Sequence, residues 1–334
     1  MIVIGAGMAG LLANSMLRDN VTAIFEKQSS LPNNHSALLR FRSPVVGDVT
    51  GIPFRKVRVM KAISPWKNPV ADALAYSYKC TGEYSLRSSV SGNGEIEERY
   101  IAPHDFISQL GKQAGTKIAF DRTLQDLIQY RAARPSKEPI VSTMPMPVLM
   151  DILKYQHNIN FGHTAGGTIS FDVEGLDVCA TLYFPDPRVA FYRGSITGSR
   201  VILETSDSKM IKVINPTCVP ESGKDYVLDQ VNKATDALGI GQHLISYKDL
   251  DGVNGRVEFG SSHYAKIVPI SEGERKRFIL WASENHNIYS LGRFATWRPT
   301  LLLDDVVNDV RVIQSLTNGN MEARYFARME NEDG

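Results

Sequence analysis

The chain has few cysteines, and they lie far apart. Cys80, Cys179 and Cys218 are the only three in 334 residues, and no CxxC spacing occurs. Without that spacing neither a zinc ribbon nor a dithiol redox pair is predicted. We therefore interpret the three as buried or free thiols. The seven histidines are equally scattered, so we expect no metal site.

Long apolar runs and a large net charge are also missing. No apolar stretch approaches the roughly 20 residues that a membrane span needs, and the early apolar residues lead into a glycine turn. The net charge is +1, with 43% apolar and 22% charged residues, which is typical of a globular protein. We expect an intracellular, cytoplasmic protein without a membrane partner.

Basic residues are nevertheless concentrated in one segment. Between positions 40 and 67, seven lysines and arginines are opposed only by Asp48. Such a concentration favours contact with phosphate groups, whether of a nucleic acid or of a cofactor. A solvated basic surface is the alternative interpretation. The seven are Arg40, Arg42, Arg55, Lys56, Arg58, Lys61 and Lys67.

The first 26 residues carry the most specific pattern. An apolar run leads into the glycines of GAGMAG and a helix-compatible stretch, and a second apolar run ends on Glu26. Gly5 permits a tight turn, Gly7 lets a pyrophosphate approach the backbone, and Gly10 lets the helix pack against the strand. Glu26 lies where a carboxylate binds a ribose. This order predicts a dinucleotide site, and an ordinary glycine turn is the alternative.

The rest of the chain divides into three regions by texture. Residues 37–100 are predicted to be mixed strand and loop, and they are followed by helices at 100–115 and 148–153 and strands at 117–120 and 140–143. Residues 155–270 are dominated by short strand-like runs separated by turns, which indicates an antiparallel sheet. The remainder is predicted to form strands at 278–282 and 288–291 and a long helix after Gly292, followed by a polar tail after Thr317.

The strand-like runs suggest how the chain is divided. They lie at 168–173, 178–184, 189–192, 201–205 and 210–214, and one helix at 225–238 interrupts them. We predict an α/β fold: a Rossmann-type domain from 1–154 and 271–320, with an inserted, mainly antiparallel β substrate domain at 155–270. Part of 40–100 is expected to contribute to the substrate side.

Three motifs together resemble a known family. GAGMAG with Glu26, the IVSTMP strand end, and YSLGRFATW followed by a helix resemble the FAD-binding domain of the glutathione-reductase-like superfamily, in the branch of amine oxidases and UDP-galactopyranose mutase. The resemblance implies FAD as the cofactor. The residues it places at FAD are Gly5, Ala6, Gly7, Met8, Ala9, Gly10, Glu26, Lys27, Thr143, Met144, Pro145, Gly292, Arg293 and Leu301.

The sequence also departs from that family. LPNNHSALLRFR replaces the usual double glycine and arginine after the ribose acid, so Arg40 or Arg42 is expected to bind the pyrophosphate instead. No second GxGxxG is visible, which argues against a built-in pyridine nucleotide reductase. Oxygen or another acceptor would then have to close a redox cycle.

A narrower resemblance concerns NHSALLRFRS, IPFRKV, YRGSI and GRFATWRPTLLLDDVV. These segments are similar to phage-encoded FAD enzymes of thymidine hypermodification. That similarity implies oxidation of a secondary amine: N-glycyl thymidine, in modified DNA or as a nucleotide, would yield 5-aminomethyl uracil and glyoxylate. A non-redox mutase resembling UDP-galactopyranose mutase is the alternative, and a flavin-bound scaffold without turnover is a third.

Five residues are candidates for contact with the substrate or the flavin. Arg193 and Arg298 are candidates for an arginine fork that binds the glycine-derived carboxylate. Tyr264 and Trp297 are candidates to wall the flavin or stack on a base. His35, in the polar loop 27–36, is a candidate for flavin or substrate contact. The alternatives are ion pairs within the protein for the arginines, core positions for the aromatics, and a loop histidine without a role.

Overall fold

Two β-sheets organise the chain. The computed structural model describes residues 1–32, 39–64, 67–84, 94–123, 126, 138–214, 218–252 and 255–318. Within these residues one sheet, sheet A, has five strands and the other, sheet B, has eight. The strands in chain order are β1 (Ile2–Ile4), β2 (Ala23–Phe25), β3 (Arg40–Phe41), β4 (Arg55–Ile63), β5 (Glu95–Ile101), β6 (Ile118–Ala119), β7 (Ile140–Ser142), β8 (His163–Asp172), β9 (Val178–Tyr183), β10 (Phe191–Gly198), β11 (Arg200–Thr205), β12 (Val257–Ile267) and β13 (Ile288–Ser290).

Helices pack on both faces of sheet A and on both faces of sheet B. We number those in the described residues in chain order. They are α1 (Met8–Leu17), α2 (Val45–Thr50), α3 (Pro69–Thr81), α4 (Phe106–Ala114), α5 (Met146–Ile152), α6 (Ser208–Val213), α7 (Glu221–Ala237), α8 (Glu272–His286) and α9 (Leu303–Thr317).

Sheet A is parallel, in the order β13-β7-β1-β2-β6. Its strands are short apolar runs because both faces are buried. Val3 and Val141 pack toward α1, α4 and α9, whereas Ile4 and Ile140 pack toward α5 and α8. The register aligns Ile4 with Phe25 and Ser142, so these strands end at one edge.

Sheet B has the order β12-β8-β11-β10-β9-β4-β5-β3 and is antiparallel except for the β4–β9 pair. Its side chains alternate between two unlike faces, as strand geometry requires. One face is apolar and packs against α6 and α7 through residues such as Phe171, Leu203 and Val231. The opposite face carries polar residues. It includes Thr168, Ser170, Thr181, Arg193, Ser195, Thr197 and Glu204.

The α/β fold with a parallel sheet and a mainly antiparallel sheet is the one predicted. Three strands of sheet B, β3, β4 and β5, come from residues before the predicted substrate domain. They match the expected contribution of 40–100 to the substrate side. The domain limits themselves, at 154, 155, 270 and 271, stay a prediction.

Two predicted strands are wrong, because their apolar residues have helical spacing. Residues 210–214 lie largely in α6, which Asp207 caps by accepting a hydrogen bond from the Met210 N–H at 2.7 Å. Residues 278–282 lie inside α8, where Phe278 and Ala282 are four positions apart and both buried. Alternation and helical periodicity are hard to separate in runs of five residues.

Two helices, α2 and α3, lie within 37–100, where only strand and loop are predicted. Helix α3 begins after Asn68, whose side chain accepts the Ala71 N–H at 3.1 Å, and it has proline at its first position. The helices expected at 100–115, 148–153, 225–238 and after Gly292 are confirmed as α4, α5, α7 and α9. The polar tail beyond residue 318 lies outside the described residues.

None of the helices in the described residues is both long and apolar enough to cross a membrane.

Candidate functional site

The carboxyl edge of sheet A collects most of the residues predicted to bind a cofactor. Gly5 follows β1, Glu26 follows β2, Thr143 follows β7, and Gly292 follows β13 after one residue. Strand β1 has β2 on one side and β7 on the other, so the chain changes direction across the sheet here. In open α/β sheets, ligands bind in the crevice at such a switch point.

The three glycines of GAGMAG differ in what surrounds them. Gly5 has φ +92°, and a Cβ there would lie 2.2 Å from Thr143 Oγ1. A Cβ on Gly10 would lie 2.0 Å from the carbonyl oxygen of Gly5, so strand and helix touch at this point. A Cβ on Gly7 would meet nothing within 4 Å. Gly5 and Gly10 therefore serve the fold, whereas Gly7 borders open space.

Helix α1 starts at that open space. Gly7 is its N-cap, and no side chain caps the helix. Met8 and Ala9 form its first turn. The N–H groups and the positive end of the helix dipole at such a terminus favour an anion. The start of α1 therefore fits a pyrophosphate.

Backbone N–H groups hold Glu26 at the same edge. Its Oε2 accepts the Ala6 N–H at 2.6 Å, and its Oε1 accepts the Gln28 N–H at 2.8 Å. Each carboxylate oxygen has a second lone pair, so both remain able to accept a ribose hydroxyl. The side chain of Lys27 is exposed beside it.

The loop after β13 closes the crevice from the other side. Gly292 has φ +92°, and a Cβ there would lie 3.0 Å from the Cβ of Ala9. The Met146 N–H donates to the Phe294 carbonyl at 2.9 Å, which ties this loop to the segment 143–145. Gly292 and Arg293 are thereby brought beside Thr143, Met144 and Pro145. Together with Glu26 and α1, these residues fit a dinucleotide cofactor.

Two residues predicted at the cofactor have their contacts within the protein. Leu301 is 7% exposed and packs in the core beside α9, and its predicted contact with FAD stays a prediction. Arg40 is committed to sheet B: its guanidinium donates to Thr181 Oγ1 at 2.7 Å, to Thr197 Oγ1 at 2.8 Å, and to the carbonyl oxygens of Ala180 and Ile196. Its donors are used within the sheet, and its predicted pyrophosphate contact stays a prediction.

Arg42 keeps an exposed side chain near the start of α9. Its Nη1 lies 3.8 Å from Asp305 Oδ1, and 57% of the side chain is exposed. This position does not test the predicted contact of Arg42 with the pyrophosphate, which stays a prediction.

The two arginines predicted as a carboxylate fork are both paired within the protein. Arg193 binds Glu204 with two hydrogen bonds, one of them 2.7 Å from Nη2 to Oε1. Arg298 binds Asp309, and its Nε donates to Thr296 Oγ1 at 3.1 Å. Both arginines therefore form ion pairs within the protein, and the predicted fork for a substrate carboxylate stays a prediction.

The Arg193–Glu204 pair lies in a weakly solvated environment. Burial works to lower the pKa of Arg193, but the Glu204 carboxylate raises that pKa well above its ordinary value. Burial also works to raise the pKa of Glu204, and the charge of Arg193 and its hydrogen bond outweigh this and lower it. The pair is therefore ionised and its two charges cancel.

The two predicted aromatic residues have different surroundings. Trp297 is 1% exposed, its Nε1 donates to the Val268 carbonyl at 2.9 Å, and its ring packs on Phe161. Such burial is typical of a core position, and its predicted contact with a flavin or a base stays a prediction. Tyr264 is partly exposed and its ring centroid lies 5.8 Å from that of Phe294. It borders the loop after β13. His35 lies outside the described residues.

Acidic residues of β5 neutralise part of the basic segment. Lys56 Nζ lies 2.8 Å from Glu98 Oε1, and Lys61 Nζ lies 2.5 Å from Glu97 Oε2. The sequence separates these partners by more than 30 residues, and the antiparallel β4–β5 register brings them together. The segment is therefore less basic in the fold than in the sequence.

Sequence reasoning missed Lys266. Its Nζ lies 4.7 Å from the centroid of the Tyr192 ring. Burial and then the charge of Arg193 lower its pKa to about 8. A register shift in β12 between Ser262 and Lys266 precedes it, and β-bulges of this kind re-aim side chains next to functional sites. Only a lysine between the apolar Ala265 and Ile267 signals it in the sequence.

Comparison with known proteins identifies solved structures that share this fold. No protein-family model and no curated protein matches the chain. Among solved structures, reduced UDP-galactopyranose mutase is 14% identical with a TM-score of 0.61, covering 95% of this chain and 93% of that one. The 2-methyl-3-hydroxypyridine-5-carboxylic acid oxygenase is 12% identical, TM-score 0.53, covering 98% and 85%.

A third solved structure has the same fold. The flavin-dependent brominase Bmp2 is 10% identical with a TM-score of 0.50, covering 99% of this chain and 83% of that one. At such low identities the similarity establishes a shared fold. The predicted fold class is thus confirmed.

Proposed function

We propose that the protein is an FAD-dependent enzyme of the oxidoreductase or mutase type. The observation that carries the proposal is the space beside Gly7, into which a Cβ would project without meeting any atom of the described residues within 4 Å. Glu26, the start of α1 and the Gly292 loop surround this space. A carboxylate for the ribose, a helix N-terminus for the pyrophosphate and a glycine loop for the ribityl chain form a set that suits FAD.

The reaction that we favour is oxidation beside an amine nitrogen. FAD, held by Glu26, the start of α1 and the Gly292 loop, would supply the hydride acceptor for oxidation of the carbon next to the substrate nitrogen. Water then adds to the carbon–nitrogen double bond of the oxidised substrate, and the C–N bond breaks to give an aldehyde and a shorter amine. The chain's part is to orient the substrate between Tyr264 and the polar face of sheet B.

N-glycyl thymidine is the substrate that we propose first. It has the required secondary amine, and its oxidation and hydrolysis would give 5-aminomethyl uracil and glyoxylate. This specific substrate rests on the resemblance to enzymes of thymidine hypermodification. The ion pairs of Lys56 and Lys61 with β5 favour a nucleotide or short oligonucleotide over a long duplex.

An anaerobic spectrum of the purified, flavin-loaded protein tests this proposal. We expect the oxidised flavin band to disappear on addition of N-glycyl thymidine, with glyoxylate detected by mass. A flavin that stays oxidised with this substrate would contradict the substrate assignment. A protein that binds no FAD after reconstitution would contradict the proposed function as a whole.

A second candidate is a non-redox mutase that acts on a nucleotide sugar. The shared fold with UDP-galactopyranose mutase and the cations on the polar face of sheet B, which suit a diphosphate, favour it. The two candidates differ in whether turnover bleaches the flavin. Conversion of UDP-galactopyranose by prereduced protein alone, without net change in the flavin spectrum, would favour the mutase.

A further inference from the structure

The polar face of sheet B carries more positive than negative charge near the Gly292 loop. We call Arg40, Arg193, Glu204 and Lys266 the cationic cluster. The charges of Arg193 and Glu204 act on the pKa of both Arg40 and Lys266, so the four groups share one electrostatic environment. Arg193 and Glu204 cancel each other, which leaves the charges of Arg40 and Lys266.

The charge of Arg40 is hydrogen-bonded but not neutralised. Its acceptors are two hydroxyls, of Thr181 and Thr197, and the carbonyl oxygens of Ala180 and Ile196. Neutral acceptors satisfy its N–H groups and leave its full positive charge in place. Burial lowers its pKa to about 10, so it stays charged at neutral pH. A buried cation of this kind favours an anion nearby.

Lys266 is the member of the cluster whose ammonium is available to a ligand. Within the described residues, no carboxylate lies within ion-pair distance of its Nζ, and its contact is the face of Tyr192. The ring of Tyr192 offers partial compensation for the charge. An ammonium has three donors, and the ring leaves these for an acceptor brought from outside.

Two buried hydroxyls on the same face point to the same ligand chemistry. Thr164 Oγ1 and Thr168 Oγ1 are buried and have no hydrogen-bond partner among the described residues. In the register of sheet B, Thr164 is opposite Lys266 and Thr168 is opposite Glu204. Buried polar groups in native proteins are nearly always hydrogen-bonded, so these hydroxyls also indicate a missing partner.

We propose that the cationic cluster binds an oxyanionic group of the substrate, a carboxylate or a phosphate, with Lys266 as its ion-pair partner and the hydroxyls of Thr164 and Thr168 as donors. The proposal moves anion recognition away from Arg193 and Arg298. It deepens the proposed function by giving the substrate class, and it rests on that function only for the reaction that follows binding.

The position of the cluster agrees with a site beside the flavin. Lys266 lies two residues after Tyr264, whose ring contacts that of Phe294 in the Gly292 loop. The charge of Arg293, in the same loop, also acts to lower the pKa of Lys266. An anion held at Lys266 would therefore anchor a substrate whose reacting carbon extends toward the Gly292 loop.

Titration of the purified protein with small anions tests this subsite. The probes are acetate and inorganic phosphate at constant ionic strength set with chloride, with acetamide as the neutral isostere. Binding is followed by the flavin difference spectrum and, independently, by the thermal midpoint. We expect one of the two anions to bind saturably while acetamide does not. The anion that binds more tightly identifies carboxylate or phosphate as the recognised group.

Three variants separate recognition from structure. Lys266→Met should weaken anion binding at least tenfold with flavin content unchanged, and Lys266→Arg should restore most of it. Lys209→Met is the matched control, because Lys209 also lies over a tyrosine, Tyr226, at 3.8 Å but on α6, against the apolar face. It should bind anions like the parent protein.

Two results would overturn the subsite. One is an anion affinity that Lys266→Met leaves unchanged, and the other is absence of saturable binding of either anion to the parent protein. The thermal midpoint reports on anion binding even in protein without flavin. Failure of FAD to bind would therefore contradict the proposed function and leave this test intact.

Discussion

The carboxyl edge of sheet A and the polar face of sheet B differ in how their polar groups are satisfied. At the edge of sheet A the contacts are made mainly by the backbone. Backbone N–H groups bind the Glu26 carboxylate, and glycines allow α1 and the Gly292 loop to lie close together. On sheet B, long charged side chains carry the site, and their partners come from distant strands. The arrangement at sheet A therefore depends on glycines that allow close approach of the backbone, whereas the arrangement on sheet B depends on the balance of its charged side chains.

Substitution of the glycines is expected to have the largest effect. Gly10→Ala would place a Cβ 2.0 Å from the carbonyl oxygen of Gly5. The carbonyl belongs to the backbone and the Cβ is attached directly to it, so neither atom can rotate away. We expect a loss of about 4 kcal/mol or more in the free energy of unfolding, measured by denaturant titration.

Gly7→Ala is the matched control, because the added Cβ meets no atom within 4 Å. Without FAD its free energy of unfolding should equal that of the parent protein. After reconstitution it should retain little FAD, measured as flavin absorbance per chain. Equal FAD content in Gly7→Ala and the parent protein would contradict the pyrophosphate site.

Loss of Arg40 should come next. Arg40→Met leaves two buried carbonyl oxygens and two hydroxyls of β9 and β10 without their donor. We expect destabilisation by about 3 kcal/mol. Arg42→Met, two residues away with a 57% exposed side chain, should change the free energy of unfolding by less than about 1 kcal/mol. Similar losses in both variants would argue against the special role of Arg40 in sheet B.

Lys266→Met should stabilise the protein at neutral pH. Burial, followed by the charge of Arg193, lowers the pKa of Lys266 from 10.5 to about 8. Below about pH 8 the folded and unfolded states both hold the proton, and the full penalty of the buried charge is present. Because the side chain is only partly buried, we expect a gain of about 1–2 kcal/mol.

The pH dependence provides the check on Lys266. Between pH 8 and 10.5 the unfolded chain keeps a proton that the folded protein has lost, so stability of the parent protein gains a rising contribution with pH. This contribution should be absent from Lys266→Met and present in Lys209→Met, as measured by urea unfolding at several pH values. A pH profile of Lys266→Met identical to that of the parent protein would contradict the assignment.

The smallest effect is expected on the surface of sheet B. Lys56 is paired with Glu98, and more than half of each side chain is exposed. Lys56→Met should therefore leave the thermal midpoint unchanged within measurement error. If the basic segment contacts nucleic acid through Lys56, the salt dependence of oligonucleotide binding will fall in this variant. We expect no such change.

The sequence was sufficient to predict the edge of sheet A because a local pattern specifies it. The glycine spacing and Glu26 lie within one strand–helix–strand unit, and each has a distinct backbone requirement. The register of sheet A then brings Thr143 and Gly292 to the same edge, as the strand-end motifs predict. Leu301 packs in the core beside α9, which its apolar character also suits.

The polar face of sheet B could not be predicted in the same way. Whether Arg193 is a ligand or an ion-pair partner depends on Glu204, which the β10–β11 register places opposite it. Arg40 is far in sequence from its acceptors at 180–197. Lys266 becomes distinctive only through its surroundings, since burial and neighbouring charges are properties of the fold. Side-chain sites built across strands therefore need the register before they can be recognised.

The most direct test of the account is the cofactor content of the parent protein beside that of Gly7→Ala. After reconstitution with FAD and removal of the unbound cofactor, we expect about one FAD per chain in the parent protein, identified by absorbance and mass. We expect little FAD in Gly7→Ala, whose unfolding curve should match that of the parent when both proteins are measured without FAD. A parent protein without FAD, or a Gly7→Ala variant that binds FAD as well as the parent, would contradict the central claim.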